Sequence, residues 1–293
     1  MYINKFLPII EENIVAIFKS EKVDITQTLF LDKGKFIRAK MCLFAALLDH
    51  GNISEDDIYK ASIIETIHRI SLIHDDVIDN NTLRHFQNTL NKEKSNSYSV
   101  LMGDLCLLTL LSKIKDEYKQ KVIDIIKKMI TGELLQRKYI SLDYSDILEK
   151  YYEIISLKTG FLVSKACDYN DTLEHIGMEF GICYQILDDI NDYNHDLEDK
   201  LPYNDFRSRI LTLPMILSLD DKRDDEVYKY FINNEKWNED FDIEKYVKKG
   251  IQESRIILNN RIKKLLDFIK KNYDNDYGND FINYIIDIFH YAT

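Results

Sequence analysis

The chain is poor in residues that break helices. Its 293 residues include nine glycines and three prolines, below ordinary usage, which argues against a turn-rich β fold and against a Gly/Ser-rich linker dividing the chain. Its four cysteines, Cys42, Cys106, Cys167 and Cys183, lie far apart with no Cys-x-x-Cys pair. Neither a zinc site nor a disulfide framework is expected, and reduced thiols fit a soluble, cytoplasmic protein. No segment approaches the run of about 18 uncharged apolar residues that crosses a bilayer. Glu11 and Glu12 interrupt the first apolar segment and no small-residue cleavage site follows, which excludes a signal peptide there. Basic residues are outnumbered 39 to 50, for a formal net charge of −11. That balance argues against nucleic acid as the main partner, because phosphate backbones require clustered Lys and Arg. A local basic pocket for a small anion remains compatible with it.

What the chain has is helix-forming material: 45% hydrophobic and 30% charged residues, rich in Leu, Ile, Lys and Glu. From Asp57 to about Asn80 the residues Ile63, Ile67, Ile70, His74 and Val77 recur at three- and four-residue steps, with Ile64, Ser71 and Ile78 as a second stripe. Two less-polar faces place that helix inside a bundle. Similar runs cover 2–19, 35–50, 98–115, 117–139, 146–168, 172–194, 207–219, 243–271 and 279–290, and no strand alternation of comparable length is found. Pro202 and Pro214 bracket an expected irregular loop near 195–208. The expectation is an all-α, single-domain bundle over 1–293.

One near-repetition matters more. Residues 72–79 read Leu-Ile-His-Asp-Asp-Val-Ile-Asp and residues 185–192 read Gln-Ile-Leu-Asp-Asp-Ile-Asn-Asp. On a helix, Asp75 and Asp79 project together with Asp76 alongside, and Asp188, Asp192 and Asp189 do likewise. Like charges at that spacing weaken a helix unless a cation compensates, and magnesium takes carboxylate oxygens while keeping water and phosphate oxygens. Asp-Asp-x-x-Asp is a cheap pattern in an acidic chain. Asp220, Asp221 and Asp224 also fit it, but Lys222 and Arg223 between them mark a solvated loop or helix end. The motifs at 75 and 188 each run out of an apolar helical turn, where unpartnered carboxylates are unfavourable. Two such clusters around one cavity suit metal ions clamping a diphosphate. Basic residues accompany them: Lys35 and Arg38 one turn apart at a helix start, where backbone N–H groups also favour anions, Arg84 after the first motif, and Lys158-Thr159 in an apolar helix.

In this order the residues resemble the trans-isoprenyl diphosphate synthases, the polyprenyl synthase family, over nearly the whole length. The matches are Gly34-Lys35-x-x-Arg38, Glu65-x-x-His68, His74-Asp75-Asp76-Val77-Ile78-Asp79, Gly103-Asp104, Gly132-Glu133-x-x-Gln136, Lys158-Thr159, Gln185-x-x-Asp188-Asp189-x-x-Asp192 and Thr212-Leu213-Pro214. The resemblance implies a bundle of roughly a dozen mostly antiparallel helices around a deep central cavity, usually a homodimer. It implies that Asp75, Asp76, Asp79, Asp188, Asp189 and Asp192 hold about three magnesium ions on an allylic diphosphate. Arg84, Lys158, Thr159, Gln185 and Lys200 match positions that contact that diphosphate, and Lys35, Arg38 and His68 match the pocket for isopentenyl diphosphate. The implied reaction is ionisation, condensation and elimination, with Asp75, Asp76, Asp79, Lys158 and Asp188 at its centre and no side-chain nucleophile.

The chain departs from the family pattern in places. Arg84-His85-Phe86 replaces the usual Arg-Arg-Gly, so His85 stands where an arginine normally grips isopentenyl diphosphate without that residue's fixed charge and fork. Ala39 stands where proline is common, Arg209-Ile210 replaces a usual Gly-Lys, and the C-terminus has no basic tail. Two alternatives stay open: a class I terpene cyclase on the same fold, and a non-catalytic, partner-dependent subunit. Lys35, Arg38 and His68 speak against the first, and two intact aspartate motifs against the second. Product length follows from helical geometry. One, two and three turns before Asp75 stand Ser71 and Leu72, Ile67 and His68, and Ile64. Members of the resembled family that stop at short products close the cavity with bulky aromatics four or five residues before that aspartate. This chain has Ser71 and Ile70 there and no Phe, Tyr or Trp from 60 to 85, so the resemblance implies a product of twenty carbons or more.

Overall fold

The computed structural model describes residues 2–29, 34–84, 87–138, 144–194, 203–219, 226–232 and 241–290. A 3₁₀ turn, Tyr2–Phe6, leads into α1 (Leu7–Phe18), α2 (Ile25–Leu29), α3 (Ile37–His50) and α4 (Glu55–Ile78). A two-residue pair of strands, β1 (Leu83–Arg84) and β2 (Gln87–Asn88), runs antiparallel with Leu83 opposite Asn88. Then follow α5 (Leu90–Glu93), α6 (Asn96–Lys113), α7 (Asp116–Lys138), α8 (Tyr144–Ile155), a π-helical turn over Ser156–Gly160, α9 (Phe161–Ala166) and α10 (Asp171–Asn191). The chain closes with α11 (Asn204–Arg207), α12 (Leu213–Ser218), α13 (Glu226–Ile232), α14 (Ile243–Asn272) and α15 (Asp276–His290).

Local chemistry sets the ends of the helices that matter. Ser54 caps α4 reciprocally: its hydroxyl accepts from the Asp57 N–H at 3.2 Å, and the Asp57 carboxylate accepts from the Ser54 N–H at 2.8 Å. Glu55, Asp56 and Asp57 in that first turn also suit the positive end of the helix dipole. Gly51 in the left-handed region (φ 77°) ends α3, and the Asn170 side chain caps α10 through the Leu173 N–H.

Helix α3 is buried nearly all round, from Ala39 through Leu48, and therefore sits at the centre. Helix α4 lies against it with Ile63, Ile64, Ile67 and Ile70 buried, and α10 contributes Ile176, Phe180, Ile186 and Ile190. Tyr193, Phe206, Met215, Val227, Phe231 and Val247 form a second, smaller cluster where α11, α12 and α13 meet the start of α14.

Most helical runs fall where the periodicity places them. The run 146–168 is interrupted by the π-turn, and 207–219 is split between the end of α11 at Arg207 and α12 from Leu213, because Arg209 takes a left-handed conformation (φ 57°). The helix expected from 35 starts at Ile37, since Gly34 (φ 59°) and Phe36 (φ 54°) are left-handed and leave Lys35 outside it. The four-to-seven-residue helices α2, α5, α11 and α13 and the strand pair were not anticipated, being too short for periodicity to reveal. Of the loop expected near 195–208, residues 195–202 lie outside the described residues, and 204–207 form a helical turn. The acidic stretch 220–224 also lies outside them.

Candidate active site

Helices α4 and α10 each end in their aspartate motif: Asp79 is the C-cap of α4 and Asp192 the C-cap of α10. In the first motif the side chains divide. Asp76 is buried, and its Oδ1 accepts from Arg84 Nη2 at 2.7 Å and Nε at 3.2 Å. Asp79 pairs with Arg137 Nη2 at 2.6 Å. Arg137 also donates to Glu133 at 2.9 Å, one turn back on α7, and Glu133 lies 2.7 Å from Lys158 Nζ. Lys158 donates in turn to Gln136 at 3.0 Å.

These charges move the acids in opposite directions. Burial pushes the Asp75 carboxyl up to about 7; Glu133 and Asp79 add like charge, and Lys158 opposes them. Asp79 is raised likewise, burial outweighing Lys158 and Arg137. For Glu133 the burial is overcome by Lys158 and Arg137, and it is lowered. The Lys158 ammonium is itself buried, but Glu133 and Asp75 hold it above its ordinary value.

The second motif does not present its three carboxylates together as helical spacing suggests. Asp188 is exposed. Asp189 is buried and tied internally, accepting from Tyr151 Oη at 2.6 Å and from Gln185 Nε2 at 2.9 Å. Burial raises it to about 6 against those hydrogen bonds. Asp192 accepts from the Asn204 and Asp205 N–H groups at 3.2 and 3.1 Å, which caps the start of α11. The helix ends at Asn191, so its last aspartate turns to the next segment instead of continuing the face.

Lys158 and Thr159 ride on the π-turn, an insertion that re-aims side chains inside a helix. The turn is wedged between two helices by glycine. A Cβ on Gly132 of α7 would stand 2.8 Å from the Lys158 backbone nitrogen, and one on Gly181 of α10 would stand 2.7 Å from Gly160 Cα. Thr159 Oγ1 then donates to Gln185 Oε1 at 2.6 Å. A continuous chain of hydrogen bonds thus runs from Thr159 through Gln185 to Asp189 and Tyr151. Gly103 makes room in a comparable way, since a Cβ there would lie 2.4 Å from His74 Nε2, and Asp104 sits 3.3 Å from that ring.

On the other side of Asp76 lies a cavity lined by Gly34, Glu65, His68, Arg69, Leu72 and Arg84, among others. Arg69 donates to the Leu29 carbonyl at 2.9 Å, lies 3.4 Å from Glu65, and stacks over the Phe36 ring at 4.8 Å. That stacking accompanies the left-handed Phe36. Burial, with Arg38, Arg84 and Arg69 nearby, drives His68 well below the ordinary histidine value, so it is neutral. Burial also lowers Arg38, whose Nε has no hydrogen-bond partner among the described residues. Lys35 is exposed. His85 and Lys200 lie outside the described residues. Arg209 is turned to the Tyr230 carbonyl and stacked 4.1 Å over its ring.

The donor set fits a divalent cation. Asp75, held near neutrality by burial beside two like charges, is a carboxylate that positive charge would stabilise, and Asp188 is exposed. Among the described residues no three His, Cys, Asp or Glu side chains converge into a ready-made metal site. Sequence reasoning missed Arg137 and Tyr151. Arg137 stands one residue beyond Gly132-Glu133-x-x-Gln136, at helical spacing from Glu133, so its signal was present; Tyr151 is assigned only by tertiary contact.

Residues 21–249 match the polyprenyl synthetase family. The nonaprenyl diphosphate synthase of Mycobacterium tuberculosis is 30% identical over 207 residues, 65% of this chain and 62% of that protein. The octaprenyl diphosphate synthase of Escherichia coli is 29% identical over 201 residues, 62% of this chain and 61% of that protein. The matching segment thus spans less than two thirds of either relative. Among solved structures, a decaprenyl diphosphate synthase from Rhodobacter capsulatus superposes with a TM-score of 0.85 at 22% identity, covering 100% of this chain and 98% of that one. A polyprenyl synthase from Caulobacter crescentus, complexed with calcium and isoprenyl diphosphate, superposes with a TM-score of 0.77 at 23% identity, covering 94% and 92%. These likenesses show the all-α isoprenoid synthase fold.

Proposed function

The chain belongs to the polyprenyl synthetase family, and from that premise we propose that it is a magnesium-dependent prenyltransferase joining an allylic diphosphate to isopentenyl diphosphate. The product is a trans-prenyl diphosphate of twenty carbons or more. The observation that carries this reading is the pair of aspartate motifs at the ends of α4 and α10 with Lys158 and Arg84 as fixed cations between or beside them. No single acid or nucleophile accounts for that arrangement.

In this reading Asp75, Asp79 and Asp188 hold magnesium, with Asp76, Asp189 and Asp192 bracing the motifs through Arg84, Tyr151 and the start of α11. Bound magnesium neutralises phosphate oxygens and stabilises diphosphate as a leaving group. Lys158 and Thr159 grip the allylic diphosphate as the C–O bond breaks, and their wedged backbone keeps that geometry preorganised. Neutral His68 with Arg38 and Lys35 receives isopentenyl diphosphate, whose double bond attacks the carbocation. The departed diphosphate takes the proton lost afterwards. Apolar Leu72, Ile67 and Ile64, leading away from Asp75 along α4, suit a growing prenyl chain.

The proposal extends to one domain over 1–293, acting as a cytoplasmic homodimer. Leu101 and Leu108 on α6 and Ile123, Ile130 and Leu134 on α7 are exposed at seven- and four-residue steps, as a self-complementary helical face requires. Among the described residues no helix is long and apolar enough to cross a membrane. The test is incubation of purified protein with magnesium, isopentenyl diphosphate and allylic primers of increasing length, followed by product analysis. Elongated diphosphates are expected. Cyclised hydrocarbons, or no product until a second protein is added, would replace this reading.

A further inference from the structure

Helix α14 carries charge opposite to that of the chain. The protein has a net charge of −11, yet the 30 residues of α14 hold nine Lys and Arg against only Glu244, Glu253 and Asp267. Val247, Gly250, Ser254, Leu258, Leu265 and Ile269 form its buried side. Helical spacing places Lys245, Lys249, Lys263 and Lys270 on the opposite side, with Lys248, Arg255, Lys264 and Lys271 beside them, and all eight are exposed. Lys249 lies 3.6 Å from Glu253, and Lys270 pairs with Asp274. Among the described residues no ion pair holds Lys248, Arg255, Lys263, Lys264 or Lys271. Within the stripe stands Ile256, 60% exposed.

Along one edge of the stripe a groove of about 480 Å³ opens between α10 and α14. Ile257, Leu265 and Phe268 make its apolar floor; His175, Arg261 and Lys264 stand around it, and Lys264 belongs to both stripe and groove. The one acid there, Glu179, is bound by Arg261 at 2.9 Å. Arg261 also stacks 4.8 Å over Tyr152, so its place is set from two sides.

We infer that this face of α14 docks on a bilayer surface carrying anionic phospholipid, with part of a lipid entering the groove. An anionic surface complements the eight cations, and an apolar floor beside a cationic rim suits an amphiphile. A nucleic-acid surface would instead be expected to offer exposed aromatic platforms for bases, and the stripe has none. Basic amphipathic helices bind anionic membranes through this combination. The use of such docking rests on the prenyltransferase reading: a prenyl chain of twenty carbons or more is insoluble in water, and a nearby bilayer is where it can go.

The test is co-sedimentation of the whole protein, without metal or substrate, with phosphatidylcholine vesicles and with vesicles also containing phosphatidylglycerol. Binding is expected only to the second, falling steeply as salt rises. Lys263→Glu/Lys264→Glu is expected to weaken it by about 25-fold or more, at roughly fivefold for each cation removed, with the melting midpoint and turnover on a short soluble primer unchanged. Lys19→Glu, on the segment after α1, is expected to leave binding as it was. No binding to phosphatidylglycerol vesicles, or undiminished binding by the double variant, overturns the inference. So does displacement by RNA at matched charge concentration, which would make the stripe a nucleic-acid surface. Because binding is read without turnover, its failure leaves the prenyl-transfer reading standing, and a vesicle-binding protein with no prenyl product would remove that reading and not the surface.

Discussion

The backbone of Gly160 lies so close to Gly181 that a Cβ on Gly181 would stand 2.7 Å from Gly160 Cα and 3.2 Å from the Thr159 carbonyl. Helix α10 therefore presses directly on the π-turn that carries Lys158 and Thr159. Gly181→Ala gains helix propensity but must push the turn away, and overpacking of this kind costs about 1–3 kcal/mol. We expect a lower melting midpoint and a fall in kcat/KM of roughly 10- to 100-fold as Lys158 and Thr159 shift. Urea titration together with steady-state kinetics checks both, and unchanged kinetics in a destabilised variant would separate the turn from the reaction.

The aspartates should divide into two groups by the kind of damage their loss does. Asp75→Ala and Asp188→Ala are expected to lower turnover by about 10³-fold or more. They should leave the fold intact, or slightly firmer for Asp75, since burial and two like charges already strain that carboxylate. Asp189→Ala should fail differently, because it leaves the Tyr151 hydroxyl and the Gln185 amide without their acceptor in the core. A loss of about 1–3 kcal/mol is expected for each orphaned group. Circular dichroism melts beside turnover measurements distinguish the two kinds, and wild-type turnover in Asp75→Ala or Asp188→Ala removes the site assignment.

Ser71 stands one turn before Asp75 on α4, its hydroxyl turned back to the His68 carbonyl at 2.8 Å. Ser71→Phe should place a ring across the path of the growing chain. The product distribution should shorten by one or more five-carbon units, each about one helical turn of depth, with the first condensation largely retained. Chromatography of the dephosphorylated products checks this. A wild-type product of fifteen carbons or fewer, or an unaltered distribution in the variant, shows that α4 does not set the length.

Asp57 anchors the opposite end of α4. Burial alone would raise its carboxyl, but hydrogen bonds from Ser54, from Tyr169 at 2.7 Å and from His50 at 3.1 Å hold it below its usual value. A folded value below the unfolded one of about 3.9 means stability that is present above pH 4 or so and lost as pH falls through the folded value. Asp57→Asn is expected to cost about 1–3 kcal/mol at pH 7, with the gap to wild type closing as pH falls below about 4. Denaturant midpoints across that range test it; a gap independent of pH would mean that packing, and not charge, is what Asp57 supplies.

The long helices, the all-α class and the two aspartate motifs are determined by local sequence. Periodicity over fifteen or more residues and the near absence of proline act within one element, so Glu55–Ile78 and Asp171–Asn191 could be placed before any contact was known. The motif order from Gly34 to Pro214 likewise carried the family. Which aspartate does what is a tertiary matter. Helical spacing puts Asp75, Asp76 and Asp79 on equal footing, yet Arg84 and Arg137, from other elements, commit two of them to ion pairs and leave Asp75 strained. Asp192, expected beside Asp188 on one helix, accepts from the Asn204 and Asp205 N–H groups at the start of the next one. Lys158 owes its position to Gly132 and Gly181, which lie in two different helices and touch the π-turn only after folding. Local propensity describes a chain segment against water; the direction of a charged side chain depends on which opposite charges and backbone amides the rest of the fold brings within about 3 Å of it.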